Sequence, residues 1–161
     1  MFALSQETGE DMWEVEALYD LVFAPGREAL SSYRLREDVP PVADFCLLAR
    51  DRDRILAGAI RVWPVRVGAS NALLLGPIAV HPTRQGEGLG RLLIEDVLLR
   101  ARSAGWSRAM LVGDLPYYGR FGFEPLPGIE MPGPTNPERI LGRALVAGAW
   151  EGLTGTVTRA A

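Results

Sequence analysis

The sequence predicts an α/β fold in which helices cover both faces of one sheet. Ala72 to Val80 is apolar at almost every position, which marks a strand buried on both sides. Shortly after it, Leu89, Leu93, Ile94, Val97, Leu98, Ala101 and Ala104 recur at the spacing of a broad apolar helix face. Strand-like runs lie before and after this pair, and no internal repeat or low-complexity tract divides the chain.

Phe2 to Leu4 reads as a first strand. Thr8 and Asp11 have the spacing of a capping box, and Met12, Val15, Leu18, Tyr19 and Val22 then recur at helical intervals up to Pro25. A second helical piece is expected over Arg27 to Leu35, before Pro40-Pro41 returns the chain to extended backbone. Phe45 to Ala49 and Ile55 to Val67 read as strands. Within the second, Pro64 lacks an amide hydrogen and belongs at an edge or a bulge. Gly105 is the expected C-cap of the long helix, Arg108 to Val112 a short strand, and Tyr117 to Phe121 a helical turn. Pro125 to Pro137 holds five prolines in thirteen residues and is expected to be a long ordered loop. Ile140 to Val146 and Gly152 to Thr158 read as closing strands.

A chain of 161 residues with 48% apolar and 23% charged content is expected to form a single domain, residues 1–161, with a core of its own. One cysteine, Cys46, and one histidine, His81, supply neither an internal disulfide nor a Cys/His zinc set, so a reduced cytoplasm and no metal are expected. The net charge of -3 lacks the basic excess that long nucleic acid would attract. All seventeen cations are arginine, which excludes Schiff-base chemistry and a Walker lysine. Neither a secretion signal nor a membrane span is visible.

Chemistry concentrates in V-H-P-T-R-Q-G-E-G-L-G-R, Val80 to Arg91. Gly86, Gly88 and Gly90 remove side chains where successive backbone amides can turn toward one point, and a helix begins there with its positive dipole end. The expected product is an anion cradle, most naturally for a pyrophosphate. A Rossmann fingerprint needs glycine where Arg91 stands and a Walker loop needs G-K-[ST], so neither applies.

Gln85, Gly88 and Gly90 meet the [RQ]-x-x-G-x-[GA] pattern, Val80 and Pro82 precede it, and Tyr118, Gly122 and Phe123 follow as Y-x-x-x-G-F. In this combination the chain resembles the GNAT superfamily of acetyl-CoA-dependent N-acetyltransferases. The strings L-G-P-I-A-V-H-P and G-D-L-P-Y-Y-G-R-F-G-F are similar to its YhbS-like branch, over Leu75 to Phe123. The resemblance implies a three-layer αβα sandwich whose central sheet is mixed and mostly antiparallel, with the strand ending at Val80 splayed from the Arg108 to Val112 strand.

It further implies acetyl-CoA as co-substrate. The pantetheine arm would enter the splay and pair with backbone along Ile78, Ala79 and Val80, while the pyrophosphate would rest on amides of Gln85, Gly86, Glu87, Gly88, Leu89 and Gly90. Arg84 or Arg91 would reach the 3′-phosphate, or both would be solvated arginines at a helix start. By family position Tyr118 is the proton donor to the departing thiolate, and the Val80 amide meets the developing oxyanion. Adjacent Tyr117 reads as a packing residue.

Histone-type relatives place a glutamate six residues before the valine, and that position here is Leu74. Deprotonating a lysine-like amine at pH 7 costs about 4.6 kcal/mol, against about 1.4 kcal/mol for an α-amino group. The expectation is therefore a low-pKa amine, or a water-relayed base drawn from Glu28, Glu37, Asp38 or Glu130. Asp114 reads as the N-cap of the Tyr117 turn, Cys46 as a small buried hydrophobe, and Trp63 and Trp150 as packing residues that could face an acceptor pocket.

The expected activity is acetyl transfer to a primary amine of a small molecule or peptide. The alternative is a non-catalytic acyl-CoA-binding sensor or partner module. Pro125 to Pro137 is a candidate homodimer interface; nucleic acid and membrane are not expected partners.

Overall fold

The computed structural model describes residues 1–23 and 31–160, Ser31 by its backbone alone. In chain order the elements are β1 (Ala3–Gln6), α1 (Met12–Val22), α2 (Ser31–Arg34), β2 (Leu47–Arg50), β3 (Leu56–Val67), β4 (Ser70–Val80) and α3 (Leu89–Ser103), then β5 (Arg108–Val112), α4 (Leu115–Tyr118), β6 (Glu124–Pro125), β7 (Ile129–Glu130), β8 (Ile140–Ala144) and β9 (Gly155–Arg159). The sheet order is β1-β2-β3-β4-β5-β8-β6, antiparallel except for β4 with β5. Strand β9 pairs antiparallel with the far half of β3 and parallel with β7. The mixed, mostly antiparallel sheet is therefore present. Among the described residues no helix is long and apolar enough to cross a membrane.

The continuous apolar run of β4 has the cause its composition predicts. Leu73 and Leu75 face α3, where Leu93, Ile94, Val97 and Ala101 are buried against them, while Leu74 faces the opposite side with Val65, Met110 and Val157. Helix α1 covers the remainder of that second side, through Val15, Leu18 and Tyr19 on Leu48, Ala59 and Ala79. The turn before α1 is fixed by Asp11, whose carboxylate accepts from both the amide and the hydroxyl of Thr8 at 2.9 Å. Helix α3 ends in a Schellman motif: Trp106 N–H donates to the Ala101 carbonyl (3.0 Å) and Gly105 N–H to that of Arg102 (3.1 Å).

Two expectations are corrected and a third falls only partly within the described residues. Pro64 is not on an edge strand, because β4 runs along one side of β3 and the other side is shared by β2 over Leu56 to Ile60 and β9 over Val65 to Val67. Val62 turns its N–H and C=O toward that shared side, meeting Cys46 Sγ and the Val42 amide. Pro64, two residues on, faces the same way and falls in the interval between the two partner strands, where no ladder bond is lost. The Pro125 to Pro137 segment is not merely a loop, since it contributes β7 and part of β6 and buries Ile129 and Met131. The helical piece expected over Arg27 to Leu35 is present where it is described, as α2 over Ser31–Arg34; Arg27 to Leu30 lie outside the described residues, as does Pro25.

Candidate active site

Strands β4 and β5 pair at only two positions, Leu73 with Ala109 and Leu74 with Met110, and then separate. The parity of β4 decides what the gap exposes. His81 N–H donates to the Ala57 carbonyl at 2.8 Å, so Ala79, two residues earlier, also turns its backbone groups toward β3. Ile78 and Val80 alternate with it and turn theirs toward the gap, where β5 no longer runs alongside. Of the three β4 residues singled out in the sequence, two offer open backbone groups and Ala79 is committed to the sheet.

Beyond Val80 the chain makes a short turn at Pro82–Arg84, held by His81 Nδ1, which accepts from the Thr83 amide at 3.2 Å. His81 is thus a capping residue. Gly86 and Gly88 then adopt φ of 86° and 77°, a backbone region that side chains disfavour. Among the described residues no amide from Gln85 to Arg91 donates to a backbone carbonyl; the first that does is Leu92, to Gly88 at 3.1 Å. A cradle of unpaired donors at the start of a fifteen-residue helix is the anion site that the glycine spacing predicts.

This loop floors a cavity of about 460 Å³ shared by Val80, Arg84, Arg91, Tyr117 and Arg120. The three arginines are not equivalent. Arg84 is held by Asp51 (2.9 Å) and Glu87 (2.8 Å), and the Arg84 hydrogen bond keeps the Glu87 carboxyl below its ordinary range. Arg91 pairs with Glu95 at 3.1 Å. Arg120 lies 5.5 Å from the Tyr117 ring centroid and has no carboxylate partner among the described residues. Arg120 is the cation that sequence reasoning missed, although it stands inside the Y-Y-G-R-F-G-F string.

A second cavity of about 270 Å³ opens between the separated strands, lined by Leu74, Ile78, Leu111, Gly113 and Tyr118, and Tyr117 borders both spaces. The two tyrosines exchange the roles expected for packing. Tyr117 is 37% exposed, whereas Tyr118 is the more buried and stacks edge-on against Phe121 and Phe123 with centroids 6.5 and 6.3 Å away. Burial, reinforced by Tyr117 and Asp114, pushes the Tyr118 phenol up to about 12. The Tyr118 hydroxyl has no hydrogen-bond partner among the described residues.

Asp114 occupies the N-cap position of α4, and its carbonyl accepts from Tyr117 and Tyr118 amides, but its carboxylate makes no cap bond and pairs with Arg139. Glu37, Asp38 and Glu130 are exposed and outside this cavity, and Glu28 lies outside the described residues. Trp63 and Trp150 do not line it either; they pack at the second core cluster. Cys46 is a buried free thiol, as expected.

A wedge between two parallel strands, with open backbone groups on one wall and an anion cradle at its mouth, defines a class of fold that admits an extended ligand with an anionic head. The acetyltransferase (GNAT) domain family matches residues 43–125, and the chain belongs to that family. It is 31% identical over 112 residues to the uncharacterized N-acetyltransferase YhbS of Escherichia coli (strain K12), covering 68% of this chain and 66% of that protein. It is 40% identical over 121 residues to the uncharacterized N-acetyltransferase YjhQ of the same strain, covering 73% and 65%. The chain thus matches just under two thirds of the length of these relatives. The crystal structure of Escherichia coli YhbS in complex with CoA superposes with a TM-score of 0.85 at 26% identity, covering 98% of this chain and 89% of that one. A GNAT family acetyltransferase from Brucella melitensis in complex with acetyl-CoA gives 0.73 at 27% identity, covering 100% and 97%.

Proposed function

We propose that this protein is a cytoplasmic N-acetyltransferase that moves an acetyl group from acetyl-CoA to a primary amine of a small molecule or peptide, with both held at once. The observation that carries this reading is the run of unpaired amides from Gln85 to Arg91 beside the outward-facing groups of Ile78 and Val80. These suit a diphosphate and an extended amide-bearing arm respectively, and the relatives from Escherichia coli and Brucella melitensis contain CoA and acetyl-CoA. Arg120, without a carboxylate partner among the described residues, is the better candidate for a phosphate contact than Arg84 or Arg91.

Acetyl-CoA supplies the activated acyl group as a thioester. The Val80 amide, turned into the gap, donates toward the oxygen on which charge develops. As the new N–C bond forms the C–S bond breaks; sulfur leaves with the electron pair and takes the Tyr118 proton, the amine's surplus proton passes to water, and the Tyr118 phenolate regains a proton from water. Leu74 is buried on the wall of the cavity, so no carboxylate stands where histone-type relatives carry theirs. This favours amines that are partly neutral at working pH. It is also the one observation behind a second reading, an acyl-CoA-binding module without turnover.

Titration of coenzyme A by calorimetry and release of free thiol over an amine panel test both readings. Binding with turnover is expected, and Arg120→Ala is expected to weaken coenzyme A about tenfold. Binding without thiol release from any amine selects the module, and no heat at all overturns both.

The pH dependence is specific. A phenol raised to about 12 keeps its proton through the working range, so Tyr118 contributes no descending limb below about pH 10. With wild-type enzyme kcat/KM should rise with the acceptor's own amine titration and then stay level. A fall between pH 7 and 9 that vanishes in Tyr118→Phe would overturn this assignment.

A further inference from the structure

Arg36 follows α2 and lines the same cavity as Tyr118, with no counter-ion among the described residues. Its Nε and Nη1 are enclosed and without hydrogen-bond partners, as is the hydroxyl of Tyr33, over whose ring the guanidinium lies at 4.1 Å. Burial lowers the guanidinium to about 10, a sign of how dry the charge is. Nη2 stands 3.5 Å from where a Cβ on Gly76 would be, just past the last residue that β4 pairs with β5. The other charges facing this cavity, Asp114 and Arg139, neutralise each other.

A cation kept dry and unpaired costs stability, and a ligand of opposite charge removes that cost. We propose that Arg36 sets acceptor specificity by binding a carboxylate on the substrate, so that the amine acetylated belongs to a small aminocarboxylate. The inference rests on the acetyl-transfer reading above.

The test compares glycylglycine, whose amine is partly neutral near pH 7 and whose carboxylate lies at the far end, with its neutral twin, glycylglycinamide, by thiol release at saturating acetyl-CoA. The carboxylate is expected to be preferred at least tenfold in kcat/KM, with the difference in KM. In Arg36→Gln the preference should fall to near unity, and Arg36→Lys should restore part of it. Since Arg36→Gln removes a buried charge that has no counter-ion among the described residues, its melting temperature should not drop. Equal or better turnover of the amide by wild-type enzyme overturns the inference without any variant, as does a preference that survives Arg36→Gln. Coenzyme A binding with no turnover of either twin overturns it too, whereas absence of coenzyme A binding overturns the acetyl-transfer reading itself.

Discussion

Replacing Tyr118 by phenylalanine is expected to lower kcat about a hundredfold or more while leaving coenzyme A affinity within about twofold. The substitution removes one oxygen and keeps the ring. That ring makes the packing contacts, edge-on to Tyr117 at 4.9 Å and to Phe121 and Phe123 further off. The hydroxyl makes no hydrogen bond among the described residues, so its loss strands no partner and the fold should be unaffected. What disappears is a proton held at a phenol that burial keeps protonated. Steady-state kinetics with calorimetry on the same preparation checks the split between kcat and affinity. Turnover within threefold of wild type would remove Tyr118 from the chemistry.

Gly113→Ala is expected to produce a similar loss of kcat without removing any reacting group, together with a destabilisation of about 1–3 kcal/mol. A Cβ on Gly113 would stand 2.3 Å from Cε2 and 2.7 Å from Cδ2 of Tyr118, and 3.2 Å from Cδ1 of Leu111. The backbone cannot simply retreat, because the Gly113 amide donates to the Arg139 carbonyl at 2.9 Å and β5 ends one residue earlier. The ring must therefore move, and its hydroxyl with it. Because both substitutions act through one side chain, Gly113→Ala combined with Tyr118→Phe should cost much less in kcat than the two effects multiplied. Thermal melts and a double-mutant cycle measure this; an alanine variant with wild-type kcat would show that Tyr118 tolerates displacement.

Much of this site was legible in the chain. The glycine spacing announces the loop because a positive φ is a property of one residue and its immediate neighbours, and Gly86 and Gly88 adopt it where expected. The strand and the long helix on either side are legible for the same reason, through two-sided apolarity and a 3.6-residue period. Pro64 was legible as an exception to the ladder, but its place between β2 and β9 depends on a strand arriving from about ninety residues away.

The charges and the tyrosines were not legible in this way. Arg84, Arg91 and Arg120 look alike in a sequence, and Arg84 is claimed by Asp51, thirty-three positions distant, while no acid among the described residues pairs with Arg120. Tyr117 and Tyr118 are adjacent, yet the turn of α4 sends one to the surface between two cavities and the other under Phe121 and Phe123. Arg36 carried no motif at all. Local sequence therefore determined the backbone shape that receives an anion, through conformational preferences that act over a few residues. Only the tertiary structure decided which side chains remain unpaired within it, because pairing and burial depend on groups that the fold brings together from far along the chain.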